Sequence, residues 1–111
     1  MTLLIFKEKI SVFSVGNKFG TPKKRTTALL ALVPKLKPSI QGESIEALGR
    51  IAHTGAFNTL KAIVADTKKH GRNRIYAVNA IGRYPAKVAV SVLVSALNDP
   101  LPRVQQSAAI N

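Results

Sequence analysis

Ile45, Leu48, Ile51 and Ala52 fall at i, i+3, i+6 and i+7, which places them on one face of an α-helix. Ser44 or Glu43 gives that helix a polar start. Ile75, Val78 and Ile81 repeat the face, and Phe57, Leu60, Ile63 and Val64 form a second stripe of the same kind. Upstream, Thr21 followed by Pro22 makes an N-cap and first-turn pair. The helix it opens runs to Val33 and is stopped by Pro34. One segment carries both periods. Val88, Val90, Val92 and Val94 alternate as in a strand, whereas Val90, Leu93, Val94 and Leu97 line a helical face. Helix is the expectation there, because Ala and Ser fill the other positions and the run exceeds a typical strand. The start of the chain stays open between the two. Leu3, Phe6, Ile10 and Phe13 make a helical stripe, while Ile10, Val12 and Ser14 alternate.

These stripes recur at a fixed interval. Gly16, Gly49 and Gly82 lie 33 residues apart, each behind an apolar residue (Val15, Leu48, Ile81) and four positions after another (Val12, Ile45, Val78). The same interval aligns Thr21 with Thr54, Leu60 with Leu93, Val64 with Leu97 and Asp66 with Asp99. It also sets the valine-rich segment on the helical stretch from Ala56 to Asp66. After Asp99 the interval shortens to 29, which places Arg103 to Asn111 on Arg74 to Gly82. The glycines sit near the ends of first helices, where either a left-handed residue or a close helix approach is wanted. One helix pair cannot bury both its faces, but stacked pairs can.

The expected architecture is therefore all-α: a right-handed α-solenoid of about three and a half helix pairs in one domain. Its units span about 1–33, 34–66 and 67–99, with a partial unit at 100–111. The expected inner lining is Leu29, Leu32, Leu48, Ile51, Leu60, Ile63, Val78, Ile81, Leu93 and Leu97. Val104, Ala108 and Ile110 belong to a helix with no partner after it. An end-to-end oligomer or a longer array is expected from that uncapped face.

Ala47-Leu48-Gly49, Ala80-Ile81-Gly82, the loop Asn98-Asp99-Pro100 and the start Arg103-Val104-Gln105-Gln106-Ser107-Ala108-Ala109 resemble HEAT repeats. They are similar in particular to the short bacterial HEAT-like repeats also found in phycobilisome lyase subunits. Two departures stand out: Arg103-Val104 reverses the family's Val-Arg order, and Asp66 is followed by Thr67 where the pattern has proline. The resemblance runs from about Ile40 to Asn111. It implies an α-solenoid that binds proteins, and it implies no catalytic residue.

Composition narrows the chemistry. Without cysteine there are no disulfides, thiol nucleophiles or thiolate metal sites, which fits a cytoplasmic setting. Leu3-Leu4-Ile5-Phe6 is broken at once by Lys7, so no secretory apolar core forms. No apolar run approaches the roughly 20 residues of a membrane span. His53 and His70 lie in turns on either side of a helix and lack partners at ligand spacing, so no metal is expected. Asp66 and Asp99 occupy equivalent positions, which reads as helix-end structure and not as a catalytic pair. Gly16-Asn17-Lys18-Phe19-Gly20-Thr21 lacks the Gly-Lys-Ser/Thr ending of a phosphate-binding loop. Tyr76 and Tyr84 are expected to fill space between helices, with base stacking the alternative. Neither a cofactor nor enzymatic activity is expected.

Charge is the unusual quantity: 17 Lys and Arg against 5 Asp and Glu, a net charge of +12. Lys18, Lys23, Lys24, Arg25, Arg50, Arg83 and Lys87 fall at turns within units. Lys35, Lys37, Lys68, Lys69, Arg72, Arg74 and Arg103 fall at turns between units. Both edges of a solenoid would then be positive. Two readings follow. A protein-interaction scaffold would use those edges to select an acidic protein. A nucleic-acid-binding solenoid would use them to follow phosphates without reading bases. The scaffold is favoured, and Lys23, Lys24, Arg25, Arg50, Lys68, Lys69, Arg72, Arg74, Arg83 and Lys87 are its candidate contacts.

Overall fold

The computed structural model describes residues 21–111. The expectations for Leu3 to Val15, for Gly16 and for Lys18 lie outside the described residues. Six α-helices follow one another with no strand among the described residues: α1 (Pro22–Leu32), α2 (Pro38–Ile51), α3 (Phe57–Ala65), α4 (Gly71–Ile81), α5 (Ala86–Ala96) and α6 (Pro102–Ile110). The valine-rich segment is thus helical, as the repeat alignment requires. Short 3-10 turns, Val33–Lys35 and Thr54–Ala56, prolong α1 and introduce α3. No helix among the described residues is long and apolar enough to cross a membrane.

Local chemistry accounts for the boundaries. The Thr21 hydroxyl accepts the Lys24 N–H at 3.2 Å, and Pro22 occupies the first turn, where no N–H is needed. Pro38 and Pro102 open α2 and α6 by the same device. Pro34 ends the regular part of α1. The chain is then tied back by the Gln41 amide, which donates to the carbonyls of Val33 at 2.9 Å and Leu36 at 3.1 Å.

The helices stand in two rows. α2, α4 and α6 lie side by side, with the most extensive packing between α2 and α4; α1, α3 and α5 form the second row. The α2–α4 seam explains Gly49. A Cβ there would come within 2.5 Å of the Ala80 Cβ and 2.6 Å of its Cα, so glycine is required by close approach and not by a left-handed turn. The left-handed residue at the end of α2 is Ala52, at φ 53°. Gly42 extends the seam, lying under the ring of Tyr76. Gly82 ends α4 with a right-handed φ of −62° and faces the side chain of Asn111.

Ile45, Leu48, Leu60, Val78, Ile81 and Val104 fill the centre of the core and are essentially inaccessible. Of the expected lining, Leu29, Leu48, Leu60, Ile63, Val78 and Ile81 are buried, and Leu32, Ile51 and Leu93 are partly so. Leu97 is not: it is 44% exposed. The expected inward face of α5 is corrected with it. Ala89, Val92 and Ala96 point into the core, while Val90 and Val94 are more than half exposed. α5 is apolar around most of its circumference, so periodicity cannot choose which stripe turns inward. The small Ala89 and Ala96 choose it, since they let the helix sit close to its neighbours.

Candidate interaction surface

The basic side chains sort by helix end. Lys23 and Lys24 are exposed in the first turn of α1, where Arg25 is half-buried; Lys87 is exposed in the first turn of α5. Arg50 ends α2 and pairs with Glu46 one turn earlier at 2.9 Å, and Arg83 is exposed in the turn that follows α4. At the opposite edge, Lys35 and Lys37 precede α2, Lys68 and Lys69 precede α4, Arg72 stands in its first turn, and Arg103 stands in that of α6. All six are exposed. A helix N-terminus carries partial positive charge and favours acids. Here not one of the six helices has an acid in its first turn. Cations stand instead in the first turns of α1, α4, α5 and α6, so there the helix dipoles add to the positive potential of the edges.

Arg74 does not belong to that set. Sequence position places it at an edge, but its side chain is fully buried. Its Nη1 donates to Asp99 Oδ1 at 3.0 Å, Nη2 also bonds Asp99 Oδ2, and Nε and Nη2 donate to the Val64 carbonyl at 3.2 and 2.6 Å. A planar guanidinium presents its donors as a fork that suits a carboxylate, and this makes burial tolerable. The Arg74 hydrogen bond, burial working against it, holds the Asp99 carboxyl below the usual carboxylate range. Asp99 and Asp66 do share a turn role. Asp66 Oδ1 accepts the Lys68 N–H at 3.0 Å, and Asp99 Oδ1 accepts the Leu101 N–H at 2.9 Å.

Open depressions interrupt the surface of the described residues. One, about 540 Å³, lies between the starts of α2 and α4 and is bordered by Pro38, Asp66, Lys68, Lys69 and His70. Its floor is polar. Asn73 is buried there, and its amide donates to the Pro38 carbonyl at 2.8 Å and to Gln41 Oε1 at 3.3 Å. A groove of about 430 Å³ runs between α3 and α5, past Lys61, Ser91 and Ser95. A smaller one, about 280 Å³, is bordered by Glu46, Tyr76, Asn79, Arg83 and Asn111. Nothing in the alternation of apolar residues announces the buried Asn73–Gln41 link.

The remaining candidates, His70 apart, are engaged in structure. His53 Nδ1 accepts the Gly55 N–H at 2.9 Å and so starts the 3-10 turn before α3. His70 is exposed just before α4. Among the described residues, no group of three His, Cys, Asp or Glu side chains is placed to hold a metal. Tyr84 packs edge-on against Phe57, centroids 5.1 Å apart, and its hydroxyl donates to the His53 carbonyl at 2.6 Å. Burial pushes its phenol upward. Tyr76 covers Gly42. Both rings therefore fill space between helices.

Compared with models of protein families, residues 26–111 match the family described as HEAT repeats. No curated protein and no solved structure matches the chain.

Proposed function

Because the chain belongs to the HEAT repeat family, we propose that it is a non-catalytic scaffold that binds an acidic protein through its positive edges. HEAT repeats are generally protein-interaction scaffolds and are usually non-catalytic. The observation that carries the acidic choice is the set of exposed cations in first turns: Lys23, Lys24, Arg72 and Lys87, with Lys68 and Lys69 beside them. Cations there gain nothing from the helix dipole, so the fold alone does not favour them. An anionic surface docked against them would be attracted by side chains and dipoles together, and association would be accelerated at low salt. Phosphate backbones would feel the same field, so nucleic acid is the competing ligand.

The test is capture from native lysate, with and without nuclease treatment, by the full chain and by a Lys68→Glu/Lys69→Glu/Arg72→Glu variant with unchanged circular dichroism. An acidic protein retained by the former and lost by the latter is the expected result. In parallel, duplex and single-stranded DNA and RNA are titrated across salt. Tight binding that falls steeply with salt, together with loss of every captured protein on nuclease treatment, would move the assignment to nucleic acid.

A further inference from the structure

The two rows of helices differ in how closely they pack. α2 and α4 meet backbone to backbone at Gly49 and Ala80, whereas α3 and α5 pack lightly and leave an open groove of about 430 Å³. Both walls belong to described helices that already neighbour each other, so the groove exists whatever follows Asn111. Its floor is apolar, made by Val64, Val92 and Ala96. Its rim is polar: Lys61 stands on the α3 side, and Ser91, Ser95 and Asn98 stand on the other. All four rim residues are exposed, and none of their side chains has a hydrogen-bond or ion-pair partner among the described residues. Elsewhere Gln41, Asn73 and Gln105 are committed to bonds within the fold. Packing does not call for the serine hydroxyls. Alanine forms helix better than serine, and it already lines the groove at Ala65 and Ala96. Asp99, the carboxylate at the groove's end, is taken up by Arg74 and the Leu101 N–H. The charge presented to a ligand is therefore that of Lys61.

We propose that the groove between α3 and α5 binds an extended segment of the acidic partner, with an apolar side chain on the Val64–Val92 floor and a carboxylate on Lys61. It rests on the reading of the partner as an acidic protein and adds a second point of attachment beside the basic edges. Spacing favours an extended segment. Residues four apart on α5, Ser91 and Ser95 or Val92 and Ala96, recur about every 6 Å along the helix axis. Same-face residues of a strand recur about every 6.6–6.8 Å. A strand laid along α5 therefore turns every second side chain to the floor. Its backbone N–H and C=O groups meet hydroxyls that both donate and accept, while Lys61, which only donates, selects an acid on the strand's outer side.

The test is fluorescence anisotropy on the full chain with a labelled short peptide that alternates Glu and Val, and with its Gln-for-Glu counterpart. The Glu peptide is expected to bind. Lys61→Glu is expected to weaken it about tenfold, the loss of one charge-assisted hydrogen bond. The Gln peptide is expected to bind more weakly and to be indifferent to Lys61→Glu. Ser95→Leu, which fills the groove without changing its charge, is expected to weaken the Glu peptide as well. Both changes fall at exposed positions, and unchanged circular dichroism checks the fold. The Lys68→Glu/Lys69→Glu/Arg72→Glu variant is expected to weaken the peptide less than Lys61→Glu does. No binding by the parent would overturn the proposal. So would binding that is lost in the triple variant and kept in Lys61→Glu and Ser95→Leu, which leaves the acidic partner on the edges alone. Single-stranded DNA or RNA bound in place of the Glu peptide, and weakened by both groove variants, would give the groove to nucleic acid and overturn it too. Failure of the lysate capture with Lys61-dependent peptide binding intact would instead remove the edge reading and keep the groove.

Discussion

Asp99 closes on the guanidinium of Arg74 across 25 residues of sequence and, with the Val64 carbonyl, ties the end of α3 and the start of α4 to the turn after α5. A buried ion pair adds little over a well-packed apolar pair, but removing one partner strands the other charge. Asp99→Ala is therefore expected to cost about 3–5 kcal/mol in urea unfolding. Arg74→Met with Asp99→Leu should cost clearly less than Asp99→Ala alone, which a double-mutant cycle would read. The lowered Asp99 value gives a pH signature. The carboxylate's stabilisation is complete above the ordinary carboxylate range, about pH 4, and is lost as acid carries the carboxyl through its lower folded value. Stability should fall on acidification in that window, and Asp99→Asn should flatten that limb.

Gly49 and Gly82 occupy the same repeat position but answer to different neighbours. An added methyl at Gly49 meets Ala80 Cβ and Cα, which cannot move without the helix. Gly49→Ala is expected to destabilise by about 1–3 kcal/mol through overpacking. At Gly82 the methyl meets the side chain of Asn111, which can swing away at the loss of its 2.7 Å bond to Asn79. Gly82→Ala should stay within about 0.5–1 kcal/mol of the parent. Thermal unfolding of the two variants side by side checks the contrast.

The orientation of α5 is open to a direct trial. If Ala89 faces the core and Val94 faces outward, Val94→Ser should change stability by less than about 0.5 kcal/mol, while Ala89→Leu should cost about 1–3 kcal/mol by overpacking. Chemical denaturation of both variants, with circular dichroism to confirm helix content, separates this orientation from one that buries Val90 and Val94.

Tyr84→Phe keeps the edge contact with Phe57 and removes the hydroxyl's bond to the His53 carbonyl. A loss of about 1 kcal/mol is expected. Because burial raises the phenol above its ordinary value, Tyr84 contributes fully below about pH 10. That contribution is lost as the pH rises through the higher folded value. Unfolding followed across alkaline pH should show this limb in the parent and not in the variant.

Much of this was legible beforehand, for identifiable reasons. The interval that sets Leu60 on Leu93 and Ala56 on Ala89 outweighs the strand-like alternation of the valines, because a repeat constrains every unit at once. The Thr21-Pro22 start and the Pro34 stop are local chemistry and need no tertiary knowledge. The face of α5 was not legible, since valines surround the helix and only the packing distance allowed by Ala89 and Ala96 selects a side. Arg74 was misplaced for a related reason. An arginine near a helix start reads as solvated unless its carboxylate is identified, and Asp99 lies 25 residues further along, at the far end of the same unit. The equivalence of Asp66 and Asp99 was visible; the difference that only Asp99 meets a guanidinium was not. Gln41 and Asn73 left no trace in the hydrophobic pattern because their bonds run to backbone carbonyls and to each other.

The seam at Gly49 and Ala80 has a mechanical corollary. Two helices that touch backbone to backbone cannot be pressed nearer, and they separate only by surrendering the contacts of Ala80 and Tyr76 together. On the other side of the sheet of helices, α3 and α5 are parted by a groove past Ser91 and Ser95. Flexing of this scaffold is therefore expected to pivot on the α2–α4 line, as a book turns on its spine, with the gap beside Lys61 changing width while the glycine side stays shut.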